Sequence, residues 1–224
     1  MEAFHNDSLI KEKYITRLQA HYQADEIIKG QYWKNGKGCA VGCTIHSSNH
    51  EEYESKLGIP KDIAHLQDLI FEGLPNKLAK QFPLEFLSSI NVGADLKNVK
   101  NLFTIWLLTD QKYGVIQYVD NKKVIQDVAD AFAKNMISPF SVEEWEELRK
   151  NANDASIAGV YSDSKYDVYS SYSAAAYSVA AAAYSVFSTT ALYYASTAYS
   201  AKNTKLKWYI AASNKLIELL KQTN

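Results

Sequence analysis

Apolar residues recur at helical spacing along most of this chain, and glycine and proline mark where each run stops. From about Ser8 to Lys29, Leu9, Tyr14, Leu18, Tyr22 and Ile28 lie near one face, which predicts an amphipathic helix ended by Gly30. The next segment, QYWKNGKGCAVGCTIHSSN, loses that period. Asn35-Gly36 is a turn signal, and Gly38 and Gly42 flank a short apolar run, so residues 30–48 read as an ordered loop or small hairpin. Helical pieces then resume. HEEYESKLG ends at Gly58, Pro60 opens KDIAHLQDLIFEG, and Gly73-Leu74-Pro75 closes it. Pro83 begins or breaks an element around LEFLSSI, and Asp95 is a good N-cap for LKNVKNLFTIWLLTD. The run YGVIQYV, Tyr113 to Val119, reads as a strand, although a strand needs a partner. In KKVIQDVADAFAKNM, Val124, Val128, Ala131 and Phe132 share a helix face.

Pro139 marks a boundary, and Ser141 with Glu144 forms a capping-box pattern before Trp145 and Leu148. Beyond it the chain changes character: Val168 to Ala201 carries no charge and consists mostly of Ala, Ser, Tyr and Thr. A stripe through Tyr177, Ala180, Tyr184, Phe187, Ala191 and Tyr194 steps at the period of a helix seam. Small residues let two helix backbones approach while Tyr fills the space between them, which predicts self-association. The fold class is therefore mainly α. Residues 1–138 form a compact helical domain, and 139–224 form a long Ala/Ser/Tyr-rich helix or helical hairpin.

Composition narrows the function classes. The apolar fraction of 47% supports a buried core, and a net charge of −1 argues against a dedicated nucleic-acid binder. The polar N-terminus resembles no secretory signal, and two cysteines are too few for a disulfide scaffold, so a cytoplasmic setting is expected. The uncharged stretch is long enough to span a bilayer, yet its Tyr and Ser content does not suit hydrocarbon, so no membrane partner is expected.

Several constellations have chemical potential. Cys39, Cys43, His46 and His50 form C-x3-C-x2-H-x3-H, a set of zinc-competent ligands, but zinc modules usually separate their ligand pairs further. Small buried cysteines are the simpler reading, and no cofactor is expected beyond a possible zinc. GKGCAVGC matches neither nucleotide-loop pattern, but a tight turn at Gly38 and Gly42 beside Lys37 could hold an anion through backbone N–H groups. His21 and Asp25 share a face of the first helix, and His65, Asp68 and Glu72 share a face of a later one. Two such faces together would make a metal or acid–base site. Cys39 or Cys43 assisted by His50 or His21 would make a nucleophile.

The segment from Gly30 to Pro75 resembles a group of uncharacterised proteins from bacteriophage and prophage genomes. The resemblance rests on a GKGCAVGC-type loop, an LGIP turn and an IFEGLP helix end, with an Ala-rich C-terminal helix following. The matching residues are Gly38, Cys39, Gly42, Cys43, His50, Gly58, Pro60, Phe71, Glu72, Gly73 and Pro75. It implies a phage setting in a host cytoplasm, and by analogy counter-defence, but no mechanism. The leading expectation is a non-enzymatic homo-oligomer that binds, and sequesters, a nucleotide-like signal. Its ligand-binding residues would be Lys37, Gly38, Cys39, Gly42, Cys43, His50, Glu72, His21 and Asp25. A metal-assisted hydrolase using His21, Asp25, His50 and Glu72 is the alternative. An adaptor acting through the C-terminal helix is a third.

Overall fold

Asp7 starts the first helix: its Oδ1 accepts the Leu9 N–H at 2.8 Å, and α1 runs Ser8–Gln23. This computed structural model describes residues 1–118, 122–160 and 202–224, and it is mainly helical, as the periodicity predicts. The uncharged stretch, with its Tyr177 to Tyr194 stripe and the self-association expected of it, lies outside the described residues.

Helix α1 stops sooner than expected. Asp25 adopts a left-handed conformation (φ 57°), and the chain leaves the helix there, so that Ile27 bridges Gly38 in parallel. The expected hairpin follows. Strands β1 (Trp33–Lys34) and β2 (Lys37–Gly38) pair antiparallel around Asn35 and Gly36, both at positive φ (53° and 80°) as such a tight turn requires. What reads as loop beyond it is a short helix, α2 (Ala40–Ile45), every residue of which is buried. Gly42 sits inside it instead of breaking it.

Helices α3 (Glu52–Leu57), α4 (Lys61–Gly73) and α5 (Asn76–Ser89) come next. Pro83 does not break α5; it lies buried within it. Helix α6 (Val99–Thr109) begins later than the pattern predicts, and Asp95 Oδ1 accepts the Lys97 N–H at 3.1 Å, closing a local turn ahead of it. Within Tyr113–Tyr118 the expected strand is instead a single 3-10 turn, Val115–Tyr118, and no second strand lies beside it among the described residues; Val119 lies outside them. Helices α7 (Lys122–Asn135), α8 (Val142–Val160) and α9 (Lys202–Lys221) complete the described elements.

The chain forms two compact units: Met1–Val99 with Tyr209–Asn224, and Lys100–Trp208. In the first, α1 packs on α2 and α5, while α4 packs on α2, α3 and α5. Leu18, Tyr53, Phe71, Phe82 and Phe86 fill the space between them. Gly73 ends α4 against the Tyr209 ring, where a Cβ would come within 2.1 Å of an aromatic carbon. In the second unit α7 packs on α8, with Trp145 between Phe132 and Phe140 at ring-centroid distances of 5.1 and 5.2 Å. The capping box at its start forms as the sequence predicts. Ser141 N–H donates to Glu144 Oε2 at 2.7 Å, and Glu144 N–H to Ser141 Oγ at 3.2 Å. Among the described residues no helix is long and apolar enough to cross a membrane.

Candidate metal centre

The two glycines of GKGCAVGC set the position of the cysteine between them. A Cβ at Gly38 would lie 2.1 Å from the Tyr32 carbonyl oxygen, and one at Gly42 only 1.6 Å from it. Glycine at both places lets the Tyr32 backbone seat directly on the start of α2. Cys39 N–H then donates to Gln31 O (2.7 Å) and Tyr32 O (3.1 Å), which fixes Cys39 as the N-cap of α2. Its Sγ accepts the Gly42 N–H at 3.4 Å.

His50 enters from the loop after α2. Ser47 Oγ accepts the Asn49 N–H at 3.0 Å and Asn49 Oδ1 accepts the Glu51 N–H at 3.1 Å, turning the chain so that the His50 ring points inward. The ring is buried, with Tyr32 edge-on at 4.6 Å and the exposed His65 at 5.6 Å between centroids. Its Nε2 lies 3.8 Å from Cys39 Sγ. Asp68 comes from α4, one turn beyond His65, and its carboxyl accepts a hydrogen bond from the Cys39 thiol. One donor atom from each of Cys39, His50 and Asp68 lies within 4.8 Å of the other two.

Burial is the largest influence on all three groups, and it removes charge from each. It pushes the Cys39 thiol up, with the Asp68 carboxyl adding to the effect. It raises Asp68 to about 6, opposed by the thiol hydrogen bond and reinforced by Glu72. It lowers His50 to about 4, helped by His65. Two buried polar atoms have no partner among the described residues: Asp68 Oδ1, and Nε2 of the neighbouring Gln67, whose Oε1 accepts the Tyr53 hydroxyl at 3.1 Å. An unpaired buried carboxylate oxygen is costly, and its place beside a thiol and an imidazole is one where a cation could be held.

The donor set fits a zinc-like ion. Bonds of about 2.3 Å to sulfur and about 2.0 Å to nitrogen place those two atoms roughly 3.5 Å apart around a tetrahedral ion. The observed 3.8 Å needs only a small closure. A thiolate and a carboxylate together carry two negative charges, which balance a divalent ion and remove the cost of burying either alone.

The expected sites are redistributed. Of the four cysteine and histidine ligands only Cys39 and His50 converge. Cys43 Sγ donates to Gly38 O (3.2 Å) and Glu26 O (3.6 Å), and burial pushes its thiol up to about 12. His46, the left-handed C-cap of α2, turns to His21 instead. The backbone N–H groups expected to hold an anion are spent within the chain: Gly38 N–H goes to Glu26 O, Cys39 N–H to Gln31 O and Gly42 N–H to Cys39 Sγ. Lys37 is exposed on β2. Asp25 pairs with Lys80 and does not share a face with His21, because α1 has already ended. Glu72 accepts the Gly30 N–H at 2.9 Å and influences Asp68 only through its charge. Asp68 completes the centre although its side chain is far from Cys39 in sequence. The signal that pointed to it was its three-residue spacing from His65, which places both on one face of α4.

Comparison of the chain with protein-family models, with curated proteins and with solved structures finds no match.

Proposed function

We propose that the protein is a metal-dependent hydrolase centred on Cys39, His50 and Asp68. The observation that carries this reading is the unpartnered Asp68 Oδ1, buried beside a thiol and an imidazole. Cys39, His50 and Asp68 would hold a zinc-like ion with three protein donors, the number of catalytic rather than structural zinc, and the ion would supply a water acidified towards neutral pH. Cys39 and Asp68 supply the balancing charge and His50 the neutral donor. His65, exposed next to His50, stands where a proton could pass to solvent.

The test is elemental analysis and native mass spectrometry of the full chain grown with zinc. We expect about one zinc per chain, lost in Cys39→Ser, His50→Gln and Asp68→Asn, and a chelator-sensitive hydrolysis within a panel of phosphoesters, esters and amides. Metal-free protein, or zinc unaffected by these substitutions, overturns the reading.

A second reading makes Cys39 a nucleophile activated by His50, supported by the 3.8 Å contact and by the N–H that its sulfur accepts. It ranks below the first because Asp68 competes with His50 for the thiol proton. Alkylation of Cys39 in chelator-treated protein, with acyl transfer abolished by Cys39→Ser but not by chelation, would favour it. The nucleotide-sequestering oligomer, motivated by the phage resemblance, depends for its self-association on the stretch outside the described residues. A nucleotide panel read by thermal shift, with native mass for subunit number, tests that reading separately.

A further inference from the structure

On the other side of α2 lies a second set of imidazoles. His21 is buried near the end of α1, and Glu26 Oε2 holds its Nδ1 at 2.6 Å. That bond fixes a proton on Nδ1 and directs the Nε2 lone pair at His46 Nε2, 2.7 Å away. His46 is held as firmly from its other side. It occupies a left-handed backbone conformation (φ 53°), and its ring stacks on the Trp33 indole at 4.5 Å with 11° between planes. Trp33 also meets the His21 ring edge-on at 5.5 Å. The cations whose charge reaches His46 are engaged elsewhere: Arg17 donates to Thr44 O at 2.8 Å, and Lys56 to Ile45 O at 3.2 Å while pairing with Glu52.

A carboxylate on the far nitrogen of a histidine is the usual support of a metal-bound imidazole, because it fixes the ring and makes the free nitrogen more basic. Two imidazoles bound at right angles on one ion, each about 2.0–2.1 Å from it, have nitrogens about 2.8–3.0 Å apart. His21 and His46 already hold theirs at 2.7 Å.

We propose that His21 and His46 form a second cation site, distinct from Cys39, His50 and Asp68, for a divalent ion of tetragonal preference such as Ni2+ or Cu2+. In the metal-free pair His46 Nε2–H donates to His21 Nε2. On binding, that proton moves to His46 Nδ1, so both Nε2 lone pairs face the ion and no net proton is lost. His46 is exposed, so water completes the coordination. Trp33 is both the wall of the site and its reporter.

The test is titration of the full chain with Ni2+ alone, followed by calorimetry and tryptophan fluorescence, in a Cys39→Ser background to remove the first centre. A His50→Gln background serves as a second check. We expect one Ni2+ per chain with quenching of Trp33. His46→Gln should weaken binding at least tenfold, and Glu26→Gln about tenfold as a loss of support to the ligand. Trp33→Phe should keep the binding and lose most of the quenching. Absence of binding in both backgrounds, or binding unchanged by both His46→Gln and His21→Gln, overturns the proposal and leaves the pair a structural hydrogen bond. Because each background lacks one ligand of the first centre, failure here is separable from failure of the zinc centre.

Discussion

Burial acts on His50 and Asp68 in opposite senses, and the two effects hide one another. In metal-free protein His50 titrates at about 4, below its ordinary 6.5, so its contribution to stability is complete above about 6.5 and is lost as pH falls through about 4. Asp68 titrates at about 6, above its ordinary 3.8, so its contribution is complete below about 3.8 and is lost as pH rises through about 6. Between about pH 4 and 6 the two slopes nearly cancel. Removing one partner exposes the other. In chelator-treated protein, Asp68→Asn should grow more stable as pH rises across that window, and His50→Gln should grow less stable. Thermal melts of both variants against the parent check this, and parallel curves would disprove it. With zinc added to the parent, occupancy should rise with pH as Cys39 and Asp68 give up protons.

At the scale of elements, the seat of Tyr32 on α2 is the critical joint. Gly42→Ala drives a methyl into the Tyr32 carbonyl with only 1.6 Å available, where backbone must move. We expect a loss of at least ~3 kcal/mol in urea unfolding, with zinc binding lost alongside. Gly36→Ala meets nothing within 4 Å and carries only the strain of φ 80°, so about 1 kcal/mol is expected and the centre survives. Equal effects of the two would refute the steric account. Periodicity made most helices legible, and Asn35-Gly36 gave away the hairpin. α2 was hidden because Gly38 and Gly42 read as loop, when their role is to let another backbone come close. The centre was half legible: Cys39 and His50 stood in one short motif, but Asp68 is brought to them by the packing of α4 on α2, which no local pattern encodes. The pairing of His21 with Asp25 failed because Asp25 takes a left-handed turn and ends the helix that would have aligned them.

At the scale of the molecule, the unit that carries the centre is discontinuous, combining Met1–Val99 with Tyr209–Asn224. Leu216, Leu219 and Leu220 are buried, Tyr209 lies over Gly73 at the end of the Asp68 helix, and Asp95 N–H donates to Asn224 O at 3.2 Å. A chain stopped after Trp208 should therefore melt well below the full chain and fail to retain zinc, as circular dichroism and elemental analysis would show. Unchanged melting and metal content would mean that Met1–Val99 stands without the segment. That discontinuity has a consequence during synthesis. While residues 100–208 are still being made, the nascent chain already carries Cys39, His50 and Asp68, but not the segment 209–224 that packs in the same unit. A chain interrupted before residue 209 would therefore carry Cys39, His50 and Asp68 in a unit that lacks part of its packing.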